Sequence, residues 1–138
     1  MERTIRIFIF IMFVVSLTVL PVKADEDTIS LVTPQTIDFN ICTKTFALSQ
    51  EKLFYLAIAS ANANRFNIEE IQSKTGYILF SAANKQYLAS VVKVDNTHSQ
   101  LKITPTNNSY FFPPGVVLNF FKYIDLNTSA QMVNVPKV

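Results

Sequence analysis

Residues 49–80, SQEKLFYLAIASANANRFNIEEIQSKTGYILF, carry a helix signal followed directly by a hairpin signal. Ser49 is a residue type that caps helix N-termini, and Glu51 places a carboxylate in the first turn, where it suits the helix dipole. Apolar residues then recur along one helical face, widened by two neighbours: Leu53, Leu56, Ala57 and Ala61, with Phe54 and Ile58. We therefore predict a helix over residues 50–63.

Four short strands are predicted after this helix. The helix should stop at NANR, residues 62–65, because asparagine tolerates the left-handed conformation that ends helices. The strands are predicted at 65–71, 77–82, 87–95 and 99–105. Short polar turns separate them, and this spacing is typical of an antiparallel meander.

A further strand is predicted upstream of the helix. Ile37, Phe39 and Ile41 alternate with polar residues, which indicates a half-buried strand running from Ile37 to Phe46 or Leu48. The preceding residues 25–36 are polar and are predicted to form an N-terminal arm.

The only cysteine of the chain, Cys42, falls within this predicted strand. A single cysteine excludes an internal disulfide, so the domain must be held by its core. We interpret Cys42 as a small apolar residue of the strand. The alternative is a free thiol that pairs with a second chain.

Residues 110–124, YFFPPGVVLNFFKYI, predict a second helix over 114–125. Proline is tolerated in the first turn of a helix, and the apolar residues that follow form one stripe: Val117, Phe120, Phe121 and Ile124. The aromatic run at 110–112 lies outside this stripe, so it should either clamp the helix start or line a mouth. The tail, residues 127–138, has no clear period and is predicted to be loosely ordered.

These elements predict a single α+β domain over residues 37–126. Its order is β-α-β-β-β-β-α, with an antiparallel sheet of about four to five strands and two helices packed on one face, a helix-grip-like arrangement. The other face of the sheet would stay uncovered, or be closed by the arm and the tail.

The first 24 residues have the pattern of a secretory signal peptide. Arg3 and Arg6 precede an apolar run, residues 7–20, and VKA at 22–24 supplies small residues for cleavage. This run of 14 residues, interrupted by Ser16 and Thr18, falls short of the roughly 20 that a membrane-spanning helix needs, so an uncleaved anchor is the weaker alternative. We predict export to the periplasm or medium, with a bacterial envelope favoured and no integral membrane span after cleavage.

Cleavage would leave 114 of the 138 residues, with nine basic and nine acidic side chains. A neutral domain lacks the basic face that nucleic acid requires, and it lacks the cationic face that binds anionic lipid. Nucleic acid is therefore not a predicted partner.

The residue inventory argues against catalysis. His98 is the only histidine and lies in a predicted polar turn, away from any packed nucleophile. One histidine and one cysteine do not make a zinc site, and Gly76 and Gly115 alone cannot form a phosphate-binding loop. Glu69 and Glu70 are adjacent, so in a strand they face opposite sides. We predict neither enzyme activity, nor a metal, nor a cofactor.

The stretch from residue 49 to residue 105 resembles the small periplasmic domains of the outer-membrane assembly lipoprotein BamC. In those domains a capped helix leads into a strand, a hairpin containing Thr/Ser-Gly, and a strand ending in Leu-x-Ile-x-Pro. The matching residues here are Phe66, Ile68, Thr75, Gly76, Ile78, Leu101, Ile103 and Pro105. The chain lacks the lipobox cysteine of that lipoprotein. The resemblance implies a helix-grip scaffold and an envelope-associated, non-catalytic role.

The sequence therefore predicts an exported interaction or scaffold module of the cell envelope. Its partner would be another envelope protein or a second copy, bound through a sheet edge or through an aromatic surface. The alternative is a carrier for a small apolar ligand, with a cavity between the sheet and the C-terminal helix. The candidate residues for the partner surface or the mouth of the cavity are Tyr110, Phe111, Phe112, Pro113, Asn119 and Tyr123.

Overall fold

The computed structural model of the chain describes residues 31–133, with side chains through Thr128. The predicted signal peptide, the first part of the arm and the last five residues of the tail lie outside the described residues. The arm is therefore followed from Leu31 onward.

A five-stranded antiparallel sheet and two helices make up the domain, and a two-stranded ribbon lies beside them. The elements are β1 (Gln35–Thr36), a 3-10 turn (Phe39–Cys42), β2 (Thr43–Phe46), α1 (Gln50–Ala63), β3 (Asn67–Gln72), β4 (Tyr77–Ala82), β5 (Lys85–Lys93), β6 (Ser99–Pro105), β7 (Phe111–Phe112) and α2 (Gly115–Val133). The sheet order is β2-β6-β5-β4-β3, and β1 pairs with β7. The predicted α+β class is confirmed, and the helices and the five strands of the large sheet follow the predicted order, whereas the β1–β7 pair is additional.

Helix α1 begins and ends where the sequence predicts. The Ser49 hydroxyl accepts a hydrogen bond from the backbone N–H of Lys52 at 3.3 Å. At the other end, Phe66 N–H donates to Ala61 O and Arg65 N–H donates to Asn62 O, the two bonds of a Schellman cap. The left-handed residue is Arg65, with φ +58°, so the prediction that an asparagine adopts this conformation was wrong.

The meander is confirmed, with strand ends within two residues of the predicted ones. Ala83 and Asn84 link the paired residues Ala82 and Lys85, and both linking residues have positive φ, 49° and 60°. This is the two-residue hairpin turn whose twist matches that of the flanking strands. Alanine is a strained choice there, because its Cβ disfavours the left-handed region.

The strand predicted from Ile37 begins only at Thr43. Asp38 caps a 3-10 turn by accepting the Asn40 N–H at 3.0 Å, and this local bond competes with extended backbone. The turn leaves Phe39 and Ile41 exposed, whereas Ile37 is buried. The period-two pattern was therefore misleading for residues 37–42.

Cys42 closes this turn and is 1% exposed. Burial raises the pKa of its thiol to about 11, with a smaller contribution from Asp38. The thiol is thus protonated at neutral pH and shielded from solvent, as expected of a small core residue.

The core lies between the inner face of the sheet and both helices. Alternation along the central strands turns one set of side chains inward: Ile78, Phe80, Tyr87, Ala89, Val91, Leu101 and Ile103. The predicted stripe of α2 is buried against them. Phe80 lies at the centre, with ring centroids of Phe66 and Tyr87 at 5.4 Å and of Phe120 at 5.5 Å.

The two helices are joined by a buried hydrogen bond. Ser60 Oγ donates to the backbone carbonyl of Phe120 at 2.8 Å, and Ala57 and Ala61 beside it let the helices approach closely. An ion pair between Lys44 and Asp125 ties β2 to α2 at the surface. Since both side chains are partly exposed, this pair adds little stability.

Helix α2 runs on to Val133, beyond the predicted end at Asp125. The side chains of Asn127 and Thr128 donate to the carbonyls of Tyr123 and Ile124, one turn back, at 2.8 and 2.7 Å. Residues 127–133, predicted as a loose tail, are therefore helical. Among the described residues, no helix has the length and apolar character needed to cross a membrane.

Tyr87 offers a test of the core. Its hydroxyl is buried and has no hydrogen-bond partner among the described residues, and burial raises its pKa to about 12. Tyr87→Phe removes this unsatisfied group and keeps the ring, so we expect the free energy of unfolding to rise by about 1 kcal/mol. Urea unfolding at pH 7 measures the change, with exposed Tyr55→Phe as the control that should leave stability unaltered. A loss of stability in Tyr87→Phe would mean that a buried water satisfies the hydroxyl.

Candidate functional site

The outer face of the sheet is open in the part of the chain that the structure describes. On this face Leu79 of β4 stands directly beside Leu88 of β5, and neither belongs to the buried core or packs against it. Val92, further along β5, is 55% exposed. The outer face of β4 and β5 therefore carries a short apolar strip, Leu79 beside Leu88, with Val92 separated from Leu88 by Ser90.

Polar groups border this strip on both sides. Lys102 and Thr104 of β6 lie on one side, beside Ser90 and Leu88 in register. On the other side the Glu70 carboxylate accepts a hydrogen bond from the Tyr77 hydroxyl at 3.3 Å. The apolar strip therefore has polar neighbours on both sides.

The predicted aromatic surface is divided by the strand alternation of β7. Phe111 is 58% exposed, whereas Phe112 is 1% exposed and packs its ring edge against Tyr87 at 5.2 Å. Tyr110 and Tyr123 are partly buried and pack against the core. The structure therefore does not gather the six candidate residues on one surface.

Two of the six, Pro113 and Asn119, line a cavity of about 350 Å³. Its other walls come from the arm, from the residues that end α1 and from the β4–β5 turn: Leu31, Asn64, Arg65, Phe66 and Ala83. The space predicted between the sheet and the second helix is instead filled by the core, with Phe120 fully buried there. The cavity lies at the N-terminal end of α2.

The arm forms one wall of this cavity because Gly115 lets it approach. Gly115 N–H donates to the carbonyl of Leu31 at 2.8 Å. A Cβ on Gly115 would lie 2.7 Å from that same oxygen, closer than atoms can pack. This glycine is required for the close contact, which sequence reasoning did not reveal.

Arg65 is the charged residue that sequence reasoning missed. The residue lines the cavity and is exposed, and its side chain forms no hydrogen bond or ion pair with the described residues. Its left-handed backbone is the position where glycine is usual, and a residue with a Cβ costs about 1–2 kcal/mol there. The only sequence signal was an arginine directly after a helix stop.

His98 lies in the turn between β5 and β6. Asp95 Oδ1 accepts hydrogen bonds from the backbone N–H groups of Thr97 and His98, at 2.8 and 2.7 Å, and lies 3.1 Å from His98 Nδ1. These contacts close the turn between β5 and β6. Within residues 31–128, no three or more His, Cys, Asp or Glu side chains are grouped so that they could hold a metal ion.

The Asp95 turn predicts a defined acid response. The Thr97 N–H, helped by other donors of the turn, lowers the pKa of Asp95 from its ordinary 3.8 to about 2. Because the folded pKa is the lower one, the turn stabilises the fold above about pH 4, and this contribution disappears as the pH falls towards 2. In urea unfolding from pH 5 to pH 2, we expect the stability difference between the parent chain and Asp95→Asn to shrink with acidity. A constant difference would contradict the assignment.

Comparisons with family models, curated proteins and solved structures gave no match to this chain. The resemblance to the periplasmic domains of the assembly lipoprotein therefore stays a prediction from scaffold residues.

Proposed function

We propose that this chain is an exported, non-catalytic interaction module that binds another protein of the cell envelope through the outer face of its sheet. The supporting observation is the apolar strip of Leu79, Leu88 and Val92, over which no described element packs. An antiparallel sheet with helices on one side leaves its other face to water or to a partner. Leu79 and Leu88 are cross-strand neighbours on that face, and adjacent apolar side chains on an open face favour a partner.

The edges of the sheet are less suited to pairing with another chain. At one edge, β3 carries Glu69 and Glu70 and a register shift after Ile68, and both charges and bulges discourage edge-to-edge pairing. At the other edge, β2 has only four residues. The face therefore replaces the edge as the proposed contact.

Site-specific photo-crosslinking tests this proposal. A photoreactive phenylalanine analogue replaces Leu88, on the face, or Leu126, an exposed apolar residue of α2, in the full chain produced in its own host. We expect a discrete adduct with an envelope protein from position 88 and none from position 126. The same adducts from both positions, or no adduct from 88, would contradict the proposal. An adduct at twice the chain mass would identify a second copy as the partner.

A charged residue in place of Leu88 tests the same contact through the stability of the complex. Leu88→Lys should abolish the complex that the crosslink identifies, because a charge would be buried without a counter-ion. Leu126→Lys, the matched control, should leave the complex intact. Circular dichroism of both variants shows whether each remains folded, since Leu88 lies outside the core.

A further inference from the structure

The cavity beside Arg65 has features of a ligand site that are independent of the sheet face. Its walls are supplied by four separate pieces of chain: the arm, the end of α1, the β4–β5 turn and the start of α2. Its volume of about 350 Å³ is within the range of small-molecule pockets. At about 30 Å³ for each water in the liquid, it holds a ligand of about ten non-hydrogen atoms.

The apolar part of the cavity is rigid. Phe66 stacks on Phe80, with centroids 5.4 Å apart, and also on Phe120 at 6.3 Å. Val116 lies beside it and is itself nearly buried. On the arm side, Leu31 and Val32 are 42% and 80% exposed, so a ligand with an apolar body would cover surface that now faces water.

Arg65 is the one charged residue among the described residues that line the cavity. Asn64 and Asn119 also line it, and none of the described lining residues is Asp or Glu. The Asn64 amide donates to the carbonyl of Ser60 at 2.9 Å, which fixes its orientation. Among the described residues the Arg65 side chain has no such partner. A carboxylate on the ligand would suit Arg65, because arginine binds carboxylates through paired, charge-assisted hydrogen bonds.

The backbone is consistent with this assignment. Arg65 and Ala83, which both line the cavity, adopt positive φ without being glycine. Such conformations persist where surrounding structure holds them, and they occur often at ligand sites. An arginine at a position that favours glycine lowers the stability of the fold. A ligand-binding role of its side chain would account for an arginine at this position.

We propose that this cavity binds a small amphipathic monocarboxylate, with the carboxylate on Arg65 and an aliphatic body of about eight carbons against Phe66, Val116 and the arm. This ligand differs from the purely apolar one predicted from the sequence.

Octanoate is the probe, and the full chain purified from its host is the protein. In calorimetric and NMR titrations we expect saturable binding, with backbone amide shifts centred on residues 64–66, 82–83 and 115–119. Arg65→Gln should weaken binding by at least about tenfold, the loss of one charge-assisted hydrogen bond. Lys52→Gln, which removes a positive charge at the opposite end of α1, should leave binding unaltered. Octanol should bind at least about tenfold more weakly than octanoate to the parent chain.

A second variant separates binding from folding. Arg65→Gly places the favoured residue at the left-handed position, so its melting temperature should rise while octanoate binding is lost. Octanol binding as tightly as octanoate, amide shifts away from the cavity, or unchanged affinity in Arg65→Gln would each overturn the proposal. These outcomes leave the crosslink from Leu88 unaffected, so the two proposals fail separately.

Discussion

Phe80→Ala is expected to lower the free energy of unfolding by about 3–5 kcal/mol, the usual cost of removing a buried phenylalanine ring. Phe80 is 0% exposed and holds the centre of a ring cluster in which Phe66 and Tyr87 stack on it and Phe120 packs at a tilt. Its removal deletes three ring contacts and opens a cavity that a sheet-bound backbone cannot collapse. Small domains have about 5–15 kcal/mol of stability in total, so the variant should be close to unfolding at 37 °C.

Urea unfolding followed by circular dichroism measures this loss. Phe80→Leu keeps most of the apolar volume and should lose clearly less stability than Phe80→Ala. Phe111→Ala removes an exposed ring and should have little effect. Equal losses in Phe80→Ala and Phe111→Ala would contradict the central position of Phe80 in the core.

Gly76→Ala is expected to cost about 2–4 kcal/mol, from two causes that act together. The backbone of Gly76 has φ +73°, where an L residue is strained. In addition, an added Cβ would lie 2.8 Å from the carbonyl oxygen of Val91, which is held in place because Val91 N–H donates to Gly76 O at 2.7 Å. The β3–β4 turn must therefore move away from β5, and thermal unfolding should begin about 4–8 °C lower for each kcal/mol lost.

The matched control is Asn84→Ala in the neighbouring hairpin turn. Asn84 also has a positive φ, 60°, but it is exposed, so alanine there should add only the backbone cost of about 1 kcal/mol. The excess loss in Gly76→Ala then measures the collision with Val91. Equal losses of stability in the two variants would show that β5 moves away from the added Cβ without lowering the free energy of unfolding.

The sequence predicted the regular elements best where the local signal and the packing agree. Ser49 and the apolar face after it located α1 correctly, and the stripe containing Phe120 located the buried side of α2. Prediction failed where a short polar side chain bonds its own backbone. Asp38 turned an alternating run into a 3-10 turn. Helix α2 also continues through Asn127, whose amide bonds the Tyr123 carbonyl, although residues 127–133 show no helical period in the sequence.

The sequence predicted two of the residues that line the cavity and missed the others. Pro113 and Asn119 are candidates because they lie close to the aromatic run at 110–112 in the sequence, and both line the cavity. Arg65 and Leu31 come from segments far from that run, and only the fold brings them together. Phe111 is exposed and Phe112 is buried because β7 pairs with β1. A strand of two residues is too short to show an alternating pattern in the sequence.

The order of strands in the large sheet means that its first strand can pair only after its last strand is available. Strand β2 has β6 as its sheet neighbour, with Phe46 opposite Ser99, so the first strand of the large sheet pairs with the last. Closing so long a loop is slow, and it cannot begin until residues 99–105 are available. Until then β2 is unpaired and the meander of β3, β4 and β5 has an open edge at β5. Chaperone binding should therefore be strongest in this interval, and a chain truncated before Ser99 should aggregate rather than fold.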